Sequence, residues 1–145
     1  EQSVNDLGLN GKVIMPETCP DWPAAFWLAN IVVAVNIAPR GQNMEILDAQ
    51  ALGRPVMVTT VGANEEMVMK DETAWVLPPN NIPALAKALH DAIHMNTDLR
   101  VSLADNTRYF IEDNFPQANW FNSMMEVYEK LMKGRKSAEE EAKVA

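Results

Sequence analysis

DAQALGRPVMVTTVGANEE, residues 48–66, decides the fold class of this chain. Gly53 lies where helices commonly take a residue with positive φ, and Pro55 prevents the helix from continuing. The β-rich run Val56–Val58 then stops at a polar loop that contains Gly62. A helix that leads directly into a buried strand is half of a crossover unit, which favours a parallel sheet.

The rest of the chain repeats this alternation of helices and strands. The run from Ile31 to Ala38 is almost continuously β-branched, as expected of a strand covered on both faces. Strands are predicted at Lys12–Met15, Ile31–Ala38, Val56–Thr59 and Trp75–Leu77. Helices are predicted at Trp22–Asn30 after the N-cap Asp21, at Met44–Leu52, from Asn80 or Asn81 onward, at Thr97–Asn114 and at Gln117–Lys133, with one helical turn at Glu65–Met69.

Composition excludes several classes of protein. The 145 residues include 12 basic and 20 acidic side chains, and the net charge of −8 argues against a nucleic-acid partner. No apolar run approaches the ~20 residues that a transmembrane helix needs. Cys19 is the only cysteine, which fits a reducing compartment. We predict one domain over residues 1–133, followed by an acidic tail, residues 134–145, after Gly134 ends the last helical pattern.

Residues 48–66 resemble the nucleotide-sugar-binding C-terminal domain of retaining glycosyltransferases of the GT-B type, the group 1 family. That family shows an acidic residue, Ala, a helix end, Gly-x-Pro-Val, a short apolar strand, a Gly-Gly pair and a Glu. The matching residues here are Asp48, Ala49, Gly53, Pro55, Val56, Gly62, Ala63 and Glu66. The similarity continues in one register from about Leu7 to Leu131.

The resemblance implies a Rossmann-like parallel sheet flanked by helices, as part of a GT-B C-terminal domain. The family's domain begins with two further strand–helix units, and this chain starts after them. The strands Lys12–Met15 and Ile31–Ala38 would then have unpaired edges, so we expect self-association, strand exchange or a missing companion segment to cover them. A separate N-terminal lobe, which holds the acceptor in the family, is expected as the missing partner.

The expected site lies beyond the carboxyl ends of the strands. The first free N–H groups of a helix that opens after residues 40–43 can receive a diphosphate. The backbone at Gly62 and Ala63 corresponds to a family Gly-Gly that approaches the donor, and Ala74 stands where the family usually has Gly. The predicted donor-binding residues are Arg40, Gly41, Gln42, Asn43, Glu45, Asp48, Gly62, Ala63 and Glu66.

Two family glutamates, eight positions apart, correspond to Arg40 and Asp48. In the family, the second glutamate binds the ribose hydroxyls. Asp48 keeps the negative charge of that glutamate with a side chain one methylene shorter. Arg40 inverts the charge where the first glutamate lies near the transferred sugar, and Glu45 is an alternative carboxylate one turn from Asp48. The residue pattern assigns no catalytic residue.

The resemblance implies a group 1 glycosyltransferase that binds a nucleotide sugar and transfers a hexose-type sugar in the full-length enzyme, without a metal or cofactor. The chain alone is expected to be inactive, in the cytoplasm or at the inner membrane face. A degenerate, non-catalytic module for protein–protein contact is the alternative, and Arg40, Ala63 and Ala74 favour it.

His90 and His94 have no third metal ligand beside them, so they are read as solvated side chains. A dehydrogenase is disfavoured because no G-x-G-x-x-G follows a strand.

Overall fold

The computed structural model of the chain describes residues 2–39 and 41–144, with side chains described up to residue 134. In this part of the chain helices flank a parallel sheet, so the predicted α/β class is confirmed. The elements are α1 (Gln2–Asp6), α2 (Trp22–Leu28), β1 (Val32–Ala34), α3 (Met44–Ala51), β2 (Val56–Thr59), a 3₁₀ helix (Asn64–Met67), β3 (Ala74–Leu77), α4 (Ile82–Ile93), α5 (Thr97–Asn114) and α6 (Gln117–Val144).

The sheet of the described residues has three parallel strands in the order β1–β2–β3. Val33 pairs with Met57, and Met57 pairs with Trp75 on its other side. Because sequential strands lie side by side and run in one direction, all three carboxyl ends meet at one edge. The segments that follow β1 and β2 are therefore neighbours in space.

The central strand β2 contributes to the core on both faces of the sheet. Val56 and Val58 lie in one buried cluster with Ile46 and Ala49 of α3, whereas Met57 lies in a second cluster with residues of α4. This division follows from the period of two along a strand, which sends successive side chains to opposite faces. Each fully buried Val, Ile or Met side chain among them contributes about 1.5–3 kcal/mol to folding. The helix α5 packs outside α3.

The end of α3 is built as its residues predict. Gly53 adopts φ +69°, its N–H donates to the Gln50 carbonyl at 2.8 Å, and the Arg54 N–H donates to the Ala49 carbonyl at 2.9 Å. A Cβ on Gly53 would lie 2.5 Å from the Arg108 guanidinium, which covers this helix end from α5. Glycine is favoured here by the backbone angle, and a methyl group would in addition displace the flexible Arg108 side chain.

Two predicted strands are corrected. The segment Lys12–Met15 is not a strand: the N–H groups of Lys12 and Val13 donate to the Leu9 carbonyl in a turn, and Ile14 is 87% exposed. A β-rich segment forms a strand only when a neighbouring strand supplies hydrogen bonds. Among the described residues, this segment has only one bridge, from Val13 to Asn10. The predicted strand 31–38 is shortened to β1, Val32–Ala34.

Helix ends and apolar faces also depart from prediction at two places. The last helix does not end at Gly134 but continues to Val144, since a glycine costs a helix only about 1 kcal/mol. Apolar residues recur along one face of α6 at helical spacing, which favours a buried face, yet Trp120 is 65% exposed and Leu131 is equally exposed. In α2, Phe26 is buried, whereas Trp27 lies on the surface beneath the Arg54 guanidinium. Within the described ranges, no helix has the length and apolar character that a membrane span requires.

Candidate donor-binding site

The candidate site lies at the carboxyl edge of the sheet, where the segments after β1 and β2 converge. Gly62, in the loop after β2, approaches the segment after β1: a Cβ on Gly62 would lie 3.6 Å from the Pro39 Cβ and 3.9 Å from the Gly41 carbonyl oxygen. Both glycines adopt positive φ, +62° at Gly62 and +78° at Gly41. Because glycine has no side chain, a ligand can approach the backbone of both loops closely. Binding of a polar ligand group by backbone atoms requires such an approach.

Hydrogen bonds of side chains hold these two loops together. The Asn43 amide donates to the Asn64 Oδ1 at 2.9 Å, and the Asn64 amide donates to the Thr59 carbonyl at 3.1 Å. The Thr59 hydroxyl donates to the Asn36 carbonyl at 2.8 Å and accepts from the Asn36 N–H at 2.9 Å. We call these four residues the polar clasp. Asn64 is 1% exposed and Thr59 is 5% exposed, so the clasp is largely shielded from water.

The clasp determines how α3 begins. Asn43 occupies the N-cap position, but its side chain makes no capping hydrogen bond because its amide is directed to Asn64. Its carbonyl accepts the Ile46 N–H at 3.0 Å. The first-turn amides of α3 are therefore not consumed by the N-cap side chain and are left for water or an anion at the positive end of the helix dipole. Glu45, in the same first turn, is exposed.

The structure brings some predicted site residues together. Gly41, Asn43 and Gly62 meet at the clasp, with Gln42 exposed between the first two and Ala63 half-buried after Gly62. Ala63 has φ −86°, an ordinary value, so a methyl group is accommodated there while Gly62 carries the positive φ.

The remaining predicted carboxylates are exposed on the two helices that flank the clasp. Asp48 is exposed on α3, on the side away from the buried Ile46 and Ala49, and Glu66 is exposed in the 3₁₀ helix. Neither side chain makes a hydrogen bond or ion pair to another described residue. Arg40 lies outside the described residues.

Three residues of the clasp were not predicted from the sequence: Asn36, Thr59 and Asn64. The available signal was a polar residue at the end of each buried strand, together with an asparagine at the start of a helical turn. Gln50 was also missed. It is fully buried in α3 and donates to the Met67 carbonyl at 2.8 Å, which fixes the end of the 3₁₀ helix, while its Oε1 has no partner among the described residues.

This arrangement, a parallel α/β sheet whose loops meet at an uncapped helix start, is Rossmann-like. The family model described as "Glycosyl transferases group 1" matches residues 1–95. The chain therefore belongs to the group 1 glycosyltransferase family, as the resemblance predicted.

Relatives and solved structures agree with this assignment. The D-inositol 3-phosphate glycosyltransferase of Salinispora arenicola is 31% identical over 124 residues, 84% of this chain and 27% of that protein. A glycosyltransferase from Rickettsia africae superposes with a TM-score of 0.84 at 22% identity, over 91% of this chain and 35% of that one. Anabaena HepE, solved in complex with UDP, superposes with a TM-score of 0.82 at 21% identity, over 89% of this chain and 35% of its own.

These similarities establish the GT-B-type fold of the chain. The chain spans about a quarter of the length of the Salinispora relative and about a third of each of the two solved structures.

Proposed function

We propose that this chain is the part of a retaining glycosyltransferase that binds the nucleotide-diphospho-sugar donor. In the full-length enzyme it would serve transfer of a hexose-type sugar to an acceptor held by a separate N-terminal lobe. The observation that carries the proposal is the start of α3, where the Asn43 amide is engaged by Asn64 and leaves first-turn amides available to an anion. HepE, of the same fold, was solved with UDP, which supports a nucleotide ligand.

The backbone geometry of the edge supports the proposed contacts to the diphosphate, and the family resemblance supports those of the Arg40 and Asp48 side chains. The diphosphate would lie against the α3 amides and the backbone of Gly41 and Gly62, where no side chain blocks approach. Arg40 would supply positive charge to the leaving diphosphate, and Asp48 would accept hydrogen bonds from the ribose hydroxyls. Stabilising the charge that develops on the leaving group is the main catalytic contribution expected of such a site, and it needs no metal.

Titration calorimetry with UDP-, GDP- and ADP-sugars tests this function. Saturable binding is expected for one base, and Asp48→Ala should weaken it roughly 10- to 100-fold, because a hydrogen bond to a charged group contributes about 1.5–3 kcal/mol. Asp48→Glu, which restores the family's longer side chain, should bind at least as tightly as the native chain. Glu129→Ala, which removes an exposed carboxylate on α6, is the matched control and should leave binding unchanged.

The alternative is a non-catalytic module that retains the fold for protein–protein contact. The edge strand β1 favours it, since Val33 is 43% exposed and no described strand pairs with that side of β1. Ala74, in contrast, is 3% exposed within a packed cluster, so its methyl group is a core contact and does not bear on the choice. Absence of binding for every sugar nucleotide at millimolar concentration would reject donor binding and leave this alternative.

Self-association through β1 is proposed under either function. An unpaired strand edge is a template for another strand, and a lysine on it opposes such pairing. The native chain should therefore elute as a dimer or larger species in light scattering, and Val33→Lys should shift it toward the monomer. A monomer for both proteins would reject association. We propose a location in the cytoplasm or at the inner membrane face, and negligible turnover of sugar nucleotides by these 145 residues alone.

A further inference from the structure

A second concave site lies beside β3, the strand at the other edge of the sheet from β1. It is formed between the turn 69–73, which leads into β3, and the face of α5 that carries Asn106, Tyr109 and Asp113. Its volume is about 360 Å³, within the roughly 300–1,000 Å³ typical of small-molecule sites. None of the predicted donor-binding residues lines it. We call it the α5–β3 cleft.

The wall of the cleft before β3 has a fixed backbone. The Thr73 N–H donates to the Met69 carbonyl at 2.8 Å, and the Thr73 hydroxyl accepts from the Met69 N–H at 2.8 Å. Thr73 is 1% exposed, so this turn is anchored in the interior of the protein. The Asn106 side chain of α5 donates to the Glu72 carbonyl at 3.4 Å and joins the two walls. The exposed Glu72 side chain, which lines the cleft, is therefore held beside α5.

The wall formed by α5 combines an aromatic ring with hydrogen-bond acceptors. Asn106, Tyr109 and Asp113 recur at intervals of three and four residues, so they share one face of the helix. The Tyr109 ring is 70% exposed, and the exposed Asp113 carboxylate lies one turn further along. The Asn114 side chain, which also lines the cleft, donates to the Phe110 carbonyl at 2.9 Å. Because Asn106 and Asn114 both use their amide nitrogens on backbone carbonyls, their Oδ1 atoms stay available as acceptors.

The cleft carries negative charge that the protein does not neutralise there. Its lining contains the two carboxylates of Glu72 and Asp113 and no Lys, Arg or His side chain. Neither carboxylate makes a hydrogen bond or ion pair to another described residue. Three or more His, Cys, Asp or Glu side chains placed to hold a metal ion are not found in the part of the chain that the structure describes. The acceptors and the aromatic ring therefore suit an organic cation better than a metal ion.

We propose that the α5–β3 cleft binds a guanidinium group, supplied by an arginine side chain of a partner polypeptide. A guanidinium is planar, carries five N–H donors and no acceptor, and stacks on aromatic rings. It thus complements the exposed Tyr109 ring, the two carboxylates and the two amide oxygens. Free arginine fits less well, because its own carboxylate would be repelled by Glu72 and Asp113, whereas an arginine within a polypeptide has no such group. This inference does not rest on the proposed function.

Two-dimensional NMR of the isotope-labelled full chain, titrated with N-acetyl-arginine N-methylamide, tests the proposal. Saturable shifts are expected for the backbone N–H groups of Glu72 and Asp113 and for the Asn106 side-chain amide. The corresponding lysine compound should bind about threefold more weakly, because an ammonium has neither the planar fork nor the stacking face of a guanidinium. Free arginine should also bind more weakly than the blocked compound. Added salt should weaken binding, since the two carboxylates are exposed.

Variants of the lining locate the binding. Asp113→Asn keeps the side-chain size and removes the charge, and it should weaken binding about two- to fivefold, as expected for an exposed ion pair. Tyr109→Ala should cause a loss of about the same size, because the stacking ring is removed. Glu112→Gln is the matched control: Glu112 is the exposed neighbour of Asp113 on α5 and does not line the cleft. It removes the same unit of charge and should change affinity by less than ~1.5-fold.

Four outcomes would overturn the inference. The first is no saturable shift with the blocked arginine at tens of millimolar. The second is an equal loss for Glu112→Gln and Asp113→Asn, which would show a diffuse acidic surface only. Equal affinity for the lysine compound would reject the guanidinium, and tighter binding of free arginine would reject a polypeptide as its source. All variants are read on folded protein, because the substituted side chains are exposed and belong to neither core cluster. A chain that binds the blocked arginine but no sugar nucleotide refutes the proposed function alone.

Discussion

Asn64→Ala is the perturbation that tests the architecture of the site most directly. The Asn64 side chain is 1% exposed and joins the loop before α3 to the end of β2, by accepting from Asn43 at 2.9 Å and donating to the Thr59 carbonyl at 3.1 Å. Replacement by alanine removes both hydrogen bonds and leaves their partners in place.

The expected loss of unfolding free energy is about 2 kcal/mol, because each hydrogen bond contributes a net ~1 kcal/mol. The two hydrogen-bond partners of Asn64 should add no further penalty, because neither is left as an unsatisfied buried group. The Thr59 carbonyl keeps the Val61 N–H at 2.7 Å, and the half-buried Asn43 amide can turn to water. A domain of this size loses roughly 2–4 °C of melting temperature per kcal/mol, so the midpoint should fall by about 6 °C.

Urea denaturation followed by circular dichroism measures the loss, with Asn122→Ala as control. Asn122 is exposed on α6, and its replacement should change stability by less than about 0.5 kcal/mol. Asn43→Ala should cost about 1 kcal/mol, and combining it with Asn64→Ala should cost about 1 kcal/mol less than the sum, since they share a hydrogen bond. Additive losses, or an Asn64→Ala effect no larger than the control, would refute the clasp. Sugar-nucleotide affinity should fall as well, because α3 and the Gly62 loop lose their relative position.

The remaining predictions concern helix ends and one ion pair. Gly53→Ala should cost about 1–2 kcal/mol in chemical denaturation, since φ is +69° and alanine is strained there; adding Arg108→Ala should recover little of this loss, because the flexible Arg108 side chain can move away from the methyl group. Asn81→Ala should cost about 1 kcal/mol, because its Oδ1 accepts the Ala84 N–H at the start of α4, whereas Asn81→Asp should retain that stability. The hydrogen bond and charge of Lys87 lower the pKa of Asp91 below 3.8, and Lys87→Met should return it toward 3.8 in a carboxylate NMR titration. Because that pKa is lowered, the stabilisation is present above pH 3.8 and disappears as pH falls through the lowered pKa.

Elements bounded by strong local signals were predicted closely. The strand β2 and the helix α5 begin and end at the predicted residues, and Asn81 caps α4 as expected. Gly53 and Pro55 end α3 just before β2 through backbone angles that those residue types favour, so no distant contact is needed. The group 1 family was also evident from this region, because its glycine, proline and acidic positions occur in a fixed order.

Elements that need a distant partner were predicted poorly. Residues 12–15 have the composition of a strand, but a ladder requires a second chain segment at about 4.8 Å, and no described segment lies there. The spacing of apolar residues along α6 shows which side chains share a face, among them Trp120 and Leu131. It does not show whether another segment packs against that face.

The sequence by itself determined the fold class, the ends of most helices and the central strand, because glycine, proline and apolar spacing act within a few residues. Only the tertiary structure decided that Asn43 and Asn64, 21 positions apart, engage each other and leave the start of α3 uncapped. It also decided that Trp120 of α6 lies on the surface, 65% exposed. Hydrogen bonds and cavities depend on ångström separations between segments that the packed sheet brings together, and residue spacing along the chain does not encode those distances directly.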